Sequence, residues 1–197
     1  MINATTTTTN PKRHCKHTDT NNPLILTLTP TIFRTTAYSL TNPHTSSIMS
    51  RTAQDVIKEL NLTPHPEKGY YVETYRDSQS DDVRAASTYI YYLLEGEAGQ
   101  SHWHRVLDAV EVWHYYAGAP LKLSLSWNDG KPVRDEILGA DIWNGQRPQV
   151  IIKQGEWQHA QSTGDWTLVG CSVAPGFEFK SFEMAEPGWE PNGADKK

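Results

Sequence analysis

The chain has 197 residues and a mass of 22.2 kDa, a length that suits one substantial domain. Its net charge of −5, with no Lys/Arg run longer than the terminal pair Lys196-Lys197, argues against a nucleic-acid partner, which would need a basic stripe. No apolar stretch approaches the roughly 20 residues of a membrane span, and the two cysteines, Cys15 and Cys171, allow neither a disulfide framework nor zinc-finger spacing, so a cytoplasmic chain without a membrane partner is expected.

Composition divides the chain near Met49. Thr5 to Thr9 is a homopolymer, and Thr, Asn, Pro and His dominate as far as Ser47, leaving too little apolar surface to offset the entropy of ordering. Lys12, Arg13, Lys16 and Arg34 stand there against Asp19 alone, and every tryptophan lies further on. Residues 1–48 are therefore expected to be a disordered extension or a mis-assigned start upstream of Met49. A mitochondrial presequence is the alternative, though no Arg-studded amphipathic helix supports it. Residues 49–186 are expected to fold, with 187–197 as a C-terminal tail.

Ala53, Val56, Ile57 and Leu60 recur at helical spacing, so residues 52–60 predict one short amphipathic helix. Thr52 with Asp55 three residues on is a form of capping box, and Pro64 and Pro66 are expected to end the helix. From Tyr70 the pattern turns to short β-rich runs. Ser87–Leu94, Val110–Tyr116, Leu121–Trp127, Val133–Leu138, Gln149–Lys153 and Trp166–Val173 are predicted strands, with Asn128-Asp129-Gly130 as a hairpin turn. This many strands at such spacing predict an all-β sandwich or barrel, with a jelly roll first among the choices.

The densest polar constellation runs from Ser101-His102-Trp103-His104-Arg105 to Glu111 and His114. On a strand His102 and His104 would share a face. A turn at Leu107-Asp108-Ala109 would bring back a paired strand with Glu111, Trp113 and Tyr115 on one face and His114 on the other. Two imidazoles and a carboxylate converging from paired strands suit a divalent transition metal. Glu67 and Glu73 flank Tyr70-Tyr71 and either line a pocket rim or form a structural ion pair. Arg147 and Gln149 either hold a polar substrate or satisfy a loop. Pro175-Gly176-Phe177 reads as a turn that seats Phe177 and Phe179 in the core, and Cys171 as a small buried hydrophobe.

Gly99, His102-x-His104, Glu111 and Gly118 resemble the first metal motif of the cupin superfamily, and Gly155 to His159 lies where the second should fall. Seven collinear segments resemble a small cupin family labelled a domain of unknown function, the fifth cupin family: Leu62 to Arg76, Ser87 to Leu94, His104-Arg105-Val106, Glu111 to His114, Gly118 to Leu121, Gly145 to Gln149 and Val173 to Phe179. The resemblance implies a cupin (RmlC-like) jelly-roll β-barrel with a short N-terminal helix, a homodimer, and a small-molecule pocket inside the barrel. It implies His104 and Glu111 as metal ligands, joined by His102 and by Gln158 or His159. The motif register favours Gln158, imidazole chemistry favours His159, and strand alternation admits only one of them to the interior.

Three functions follow. The first is a metal-dependent enzyme, an oxidoreductase or isomerase, using Fe, Mn, Ni or Zn on a small organic substrate against a wall of Trp103, Trp113, Tyr115 and Trp157. The second resembles the metal-independent sugar-epimerase branch of the jelly roll, with His104 as base and Tyr91 or Tyr115 as acid. The third is a binding module without chemistry. With no phosphate loop or dinucleotide fingerprint in the chain, neither ATP nor NAD is expected as a cofactor.

Overall fold

A computed structural model describes residues 51–77 and 83–195; the expectations for residues 1–48 lie outside the described residues. The helix, α1 (Ala53–Glu59), begins at its capping signal. The Asp55 amide donates to Thr52 Oγ1 at 3.2 Å, and the Thr52 amide donates to the Asp55 carboxylate at 2.9 Å. It ends before either proline. Asn61 takes φ +54°, and the Leu62 amide folds back onto the Ile57 carbonyl, so a left-handed residue stops the helix and the prolines only follow it. Ala53, Val56, Ile57 and Leu60 pack on Leu62, Val72, Leu93 and Trp166.

The strands are β1 (Thr63–Pro64), β2 (Tyr70–Arg76), β3 (Thr88–Glu95), β4 (His104–Val106), β5 (Val110–Gly118), β6 (Leu121–Ser126), β7 (Arg134–Leu138), β8 (Gln149–Ile152), β9 (Trp157–Ser162), β10 (Trp166–Ala174) and β11 (Phe182–Met184). They make two antiparallel sheets, ordered β1-β2-β3-β10-β5-β8 and β11-β4-β9-β6-β7. This is the cupin jelly roll that the sequence predicts. The β6–β7 hairpin turns at Asn128-Asp129-Gly130, with Asn128 and Gly130 at φ +56° and +81°.

One expected pairing is absent. The turn at 107–109 joins β4 to β5, but β4 pairs with β9 and β11 while β5 pairs with β8 and β10. The turn therefore crosses between sheets, and His104 and Glu111 come from opposite walls of the barrel rather than from one hairpin. His102 does not share the His104 face by strand alternation either, because β4 begins only at His104. The chain before it is irregular, and the His102 amide donates to the Glu67 carbonyl.

Inward-facing residues fill one end of the barrel and leave the other open. Tyr92 and Leu94 of β3, Val169 of β10 and Leu121, Leu123 and Leu125 of β6 form a dry plug. The opposite ends of the same strands (Thr88 and Ile90, Cys171 and Val173, Glu111 and Trp113) line a cavity. The stretch after residue 186 lies against the outside of the five-stranded sheet. Trp189 sits 4.5 Å from the Trp157 ring, Glu190 accepts from Trp103 Nε1 at 3.1 Å, and the Asn192 amide donates to Asn128 Oδ1 at 2.7 Å. Among the described residues no helix is long and apolar enough to cross a membrane.

Candidate active site

The cavity holds about 290 Å³ and is two-sided in character. Ile90, Val106, Val173, Phe177, Phe179 and Phe182 supply an apolar wall. Glu67, His104 and Glu111 supply the polar floor. Glu67 reaches the floor from the β1–β2 turn, which is shaped by Lys68 and Gly69 at φ +87° and +70°. A Cβ on Gly69 would stand 2.5 Å from the Leu93 carbonyl, so only glycine lets the turn lie this close to β3. The Tyr92 hydroxyl secures the turn by donating to the Lys68 carbonyl at 3.0 Å.

His104 and Glu67 form a buried pair. Nδ1 of His104 lies 2.9 Å from Glu67 Oε2 and 3.0 Å from the His102 carbonyl. Both neighbours are acceptors, so Nδ1 carries a proton and Nε2 is left to meet a ligand. Burial alone would push the imidazole down. The Glu67 carboxylate, by charge and hydrogen bond, together with Glu111, pushes it up to about 9. Burial likewise raises Glu67, but His104, joined by His65 and the Tyr92 hydroxyl, more than reverses this and leaves its carboxyl lowered. At neutral pH the pair is imidazolium and carboxylate.

Glu111 stands across the interior, 8% exposed. Gln158 Nε2 donates to its Oε2 at 2.5 Å. Burial raises the Glu111 carboxyl, against the lowering effect of His104 and the Gln158 amide. His65 completes the floor, edge-on to Tyr71 at 4.6 Å, and its Nδ1 accepts from the Glu67 amide at 3.4 Å. Burial lowers its pKa, so this imidazole is neutral.

The expected site residues separate cleanly. His104, Glu111, Glu67, Glu73 and Trp113 line the cavity, and Gln158 is fully buried on its inner side. His159 faces the other way and stacks on Trp103 at 4.2 Å; burial first and Lys122 second push it down to about 4. His102 does not line the cavity. Tyr91 faces outward, edge-on to Tyr116, while Tyr115 faces inward at the plugged end and donates to the Gly118 carbonyl at 2.6 Å. Trp157 is on the outer face under the Arg105 guanidinium. Arg147 and Gln149 are exposed outside the barrel, where Arg147 pairs its backbone with Ile137 and Gly139. His114 bonds Ser172 Oγ at 2.9 Å on the outer face, as its parity predicts.

The residues present do not assemble the donor set that the resemblance implies for a metal. His102 and His159 are elsewhere, and Glu111, the carboxylate of that set, is engaged by an amide. Among the described residues no group of three or more His, Cys, Asp or Glu is placed to hold a metal ion.

Several lining residues escape a reading of the sequence. Tyr71 was detectable, since it shares parity with Glu73. His65 lay inside the Leu62–Arg76 segment but carried no separate signal. Phe177 and Phe179 form the cavity wall with Phe182 instead of sitting in the core, and Phe179 is 59% exposed at the rim.

Residues 54–185 match the family described as the cupin superfamily (DUF985). A crystal structure of a Shewanella oneidensis protein is 37% identical, covers 69% of this chain and 85% of its own, and superposes with a TM-score of 0.64. A hypothetical protein of Leishmania major is 34% identical over 68% of this chain and 86% of its own, with a TM-score of 0.60. An uncharacterized protein of Saccharomyces cerevisiae is 25% identical over 147 residues, 64% of this chain and 72% of that protein. The match spans well over half the chain and both sheets that build the cavity, and the chain belongs to the DUF985 family of the cupin superfamily.

Proposed function

We propose that this cupin catalyses proton transfer within a small organic molecule, an isomerase-type reaction that calls on no metal. The observation that carries the reading is the buried contact of 2.9 Å between His104 Nδ1 and Glu67, which leaves Nε2 for the ligand. Two titratable groups with differently tuned environments are how a site divides acid and base roles. His104, held as imidazolium, is the proton donor. Glu111, made more basic by burial, is the acceptor. Glu111 takes a proton from an acidic C–H of the substrate while His104 Nε2 delivers one to the atom where negative charge develops. Glu111 then returns its proton to a different carbon, or to the opposite face of the same one, while His104 Nε2 takes its proton back; both groups are restored and the product is an isomer with no net gain or loss of atoms. Neither Tyr91 nor Tyr115 lines the cavity; among the described residues Tyr71, beside His65, is the tyrosine that does.

The test is proton exchange. Small carbonyl and hydroxy compounds are incubated with the protein in D2O, and deuterium uptake is followed by NMR. Exchange that is lost in both His104→Ala and Glu111→Gln supports the reading. Binding without exchange turns the protein into a ligand-binding module. Elemental analysis after reconstitution with Fe, Mn, Ni and Zn checks the rival chemistry: one equivalent of metal, lost in the same two variants, would replace the present reading with a metal-dependent one.

A further inference from the structure

Arg76 enters the cavity by way of a β-bulge. Across the β2–β3 ladder Tyr71 faces Tyr92 and Glu73 faces Ile90, all on the inner side. Simple alternation would send Arg76 outside with Val72 and Thr74. Between Glu73 and Tyr75 the register slips by one residue, so that Tyr75 meets Tyr89 and Arg76 meets Thr88, a cavity-lining position. Thr74 is the extra residue, and its hydroxyl donates to the Tyr89 carbonyl at 3.1 Å. Bulges re-aim a side chain beside a site in this way.

The re-aimed guanidinium lies at the cavity mouth. Nε and Nη2 donate to the two Glu73 oxygens at 2.9 and 2.6 Å, and Nη1 donates to the Phe177 carbonyl at 3.2 Å. An arginine carries five N–H donors, so two remain for a ligand. Arg76 is the only Arg or Lys among the described lining residues. Both members of the pair are 38% exposed, open to exchange with an entering anion. A pair serving structure alone would be satisfied equally well on the outer face of β2 and would need no bulge. Phe177, whose carbonyl Arg76 holds, packs on Phe182 at 5.7 Å, and the Phe182 ring lies 5.4 Å from that of His104. Arg76 and His104 thus stand at the two ends of one aromatic wall.

We propose that Arg76 anchors a carboxylate of the substrate, so that the ligand class is a small carboxylic acid with an apolar or aromatic body between the carboxylate and the reacting end. This rests on the proton-transfer reading for the reacting end alone. Glu73 is the internal competitor that the carboxylate displaces. The cavity of about 290 Å³ sits at the low edge of small-molecule pockets, roughly 300 to 1,000 Å³, and so favours a body of about one ring over a nucleotide.

The experiment titrates the full chain with 3-phenylpropanoate and with its neutral amide, by NMR and calorimetry. Wild type is expected to prefer the acid about tenfold, the scale of one charge-assisted hydrogen-bond pair at a partly open site. Arg76→Gln should abolish the preference without weakening the amide, Arg76→Lys should keep part of it, and Glu73→Gln should tighten the acid. Equal binding of acid and amide, no binding of either, or a preference that survives Arg76→Gln overturns the proposal. Should Arg76→Gln fail to fold, an unchanged acid affinity in Glu73→Gln overturns it by itself. His104→Ala should keep the acid preference. If wild type shows that preference but catalyses no exchange, the carboxylate anchor stands and the proton-transfer reading falls.

Discussion

Replacing Glu67 by Gln is predicted to change how stability depends on pH, not merely its level. His104 is 2% exposed, and although burial pushes its pKa down, the Glu67 carboxylate, helped by Glu111 and the His102 carbonyl, raises it from 6.5 to about 9. A group raised on folding contributes stability that is fully present below pH 6.5 and is lost as pH rises through about 9. The integrated effect is about 3 kcal/mol, on the order of 10 °C in Tm for a domain of this size. Glu67 is lowered on folding, so its own titration falls on the acid side of this window. The assay is urea unfolding of wild type and Glu67→Gln between pH 6 and 10. The gap between the two should be widest near pH 6 and narrow by about 3 kcal/mol toward pH 10, other titrating groups cancelling in the difference. A gap that stays constant across the range would show that His104 is not held as imidazolium by Glu67, and the acid role assigned to it would go too.

Other perturbations test other parts of the molecule. His159 is lowered to about 4, so its contribution is present above pH 6.5 and lost as pH falls toward 4. His159→Phe should keep the stack on Trp103 and lose about 2–3 kcal/mol less than wild type between pH 7 and 4.5, measured by thermal unfolding. Trp189→Ala removes the ring packed on Trp157 and should cost about 1–2 kcal/mol while leaving the His104 titration unchanged by NMR. A homodimer is expected, because the outer face of the six-stranded sheet exposes Tyr75, Tyr89, Tyr116 and Ile151. Light scattering at 22.2 kDa would contradict it.

Local chemistry is what the sequence displays best. The Thr52–Asp55 capping box and the Asn128-Asp129-Gly130 turn each involve a few adjacent residues and are found in place. The long runs β5, β6, β8 and β10 are legible because apolar residues crowd them. β9 is not, since its inward positions are Gln158, Ala160 and Ser162. Gln158 serves Glu111, and Ser162 Oγ pairs with Thr167 Oγ1 at 2.8 Å. A wall that faces polar partners carries no hydrophobic alternation to detect. β4 and β11, three residues each, are too short to show a period.

Parity sorts residues by face, and this is why Glu111 and Trp113 could be placed on one face with His114 on the other, while the choice of Gln158 over His159 needed the motif register as well. It does not say how far along the barrel a residue lies, so Tyr115 shares the face of Glu111 yet sits among the plug residues at the other end. It says nothing where no strand exists, which removes His102. It also fails wherever one residue is added. Arg76 has outward parity counted from Tyr71 and Glu73, and only the pairing with β3 reveals that Thr74 is the extra residue. The same holds for His104 and Glu111: short turns between strands normally join neighbours in one sheet, and the turn at 107–109 instead hands the chain from one wall of the barrel to the other. That crossing sets an imidazole held by Glu67 against a carboxylate held by Gln158, each supported from its own wall. Two groups supported separately can keep different protonation states. The placement of these two groups on opposite walls of the cavity is thus a consequence of which sheet each strand joins, information that exists only in the long-range pairing.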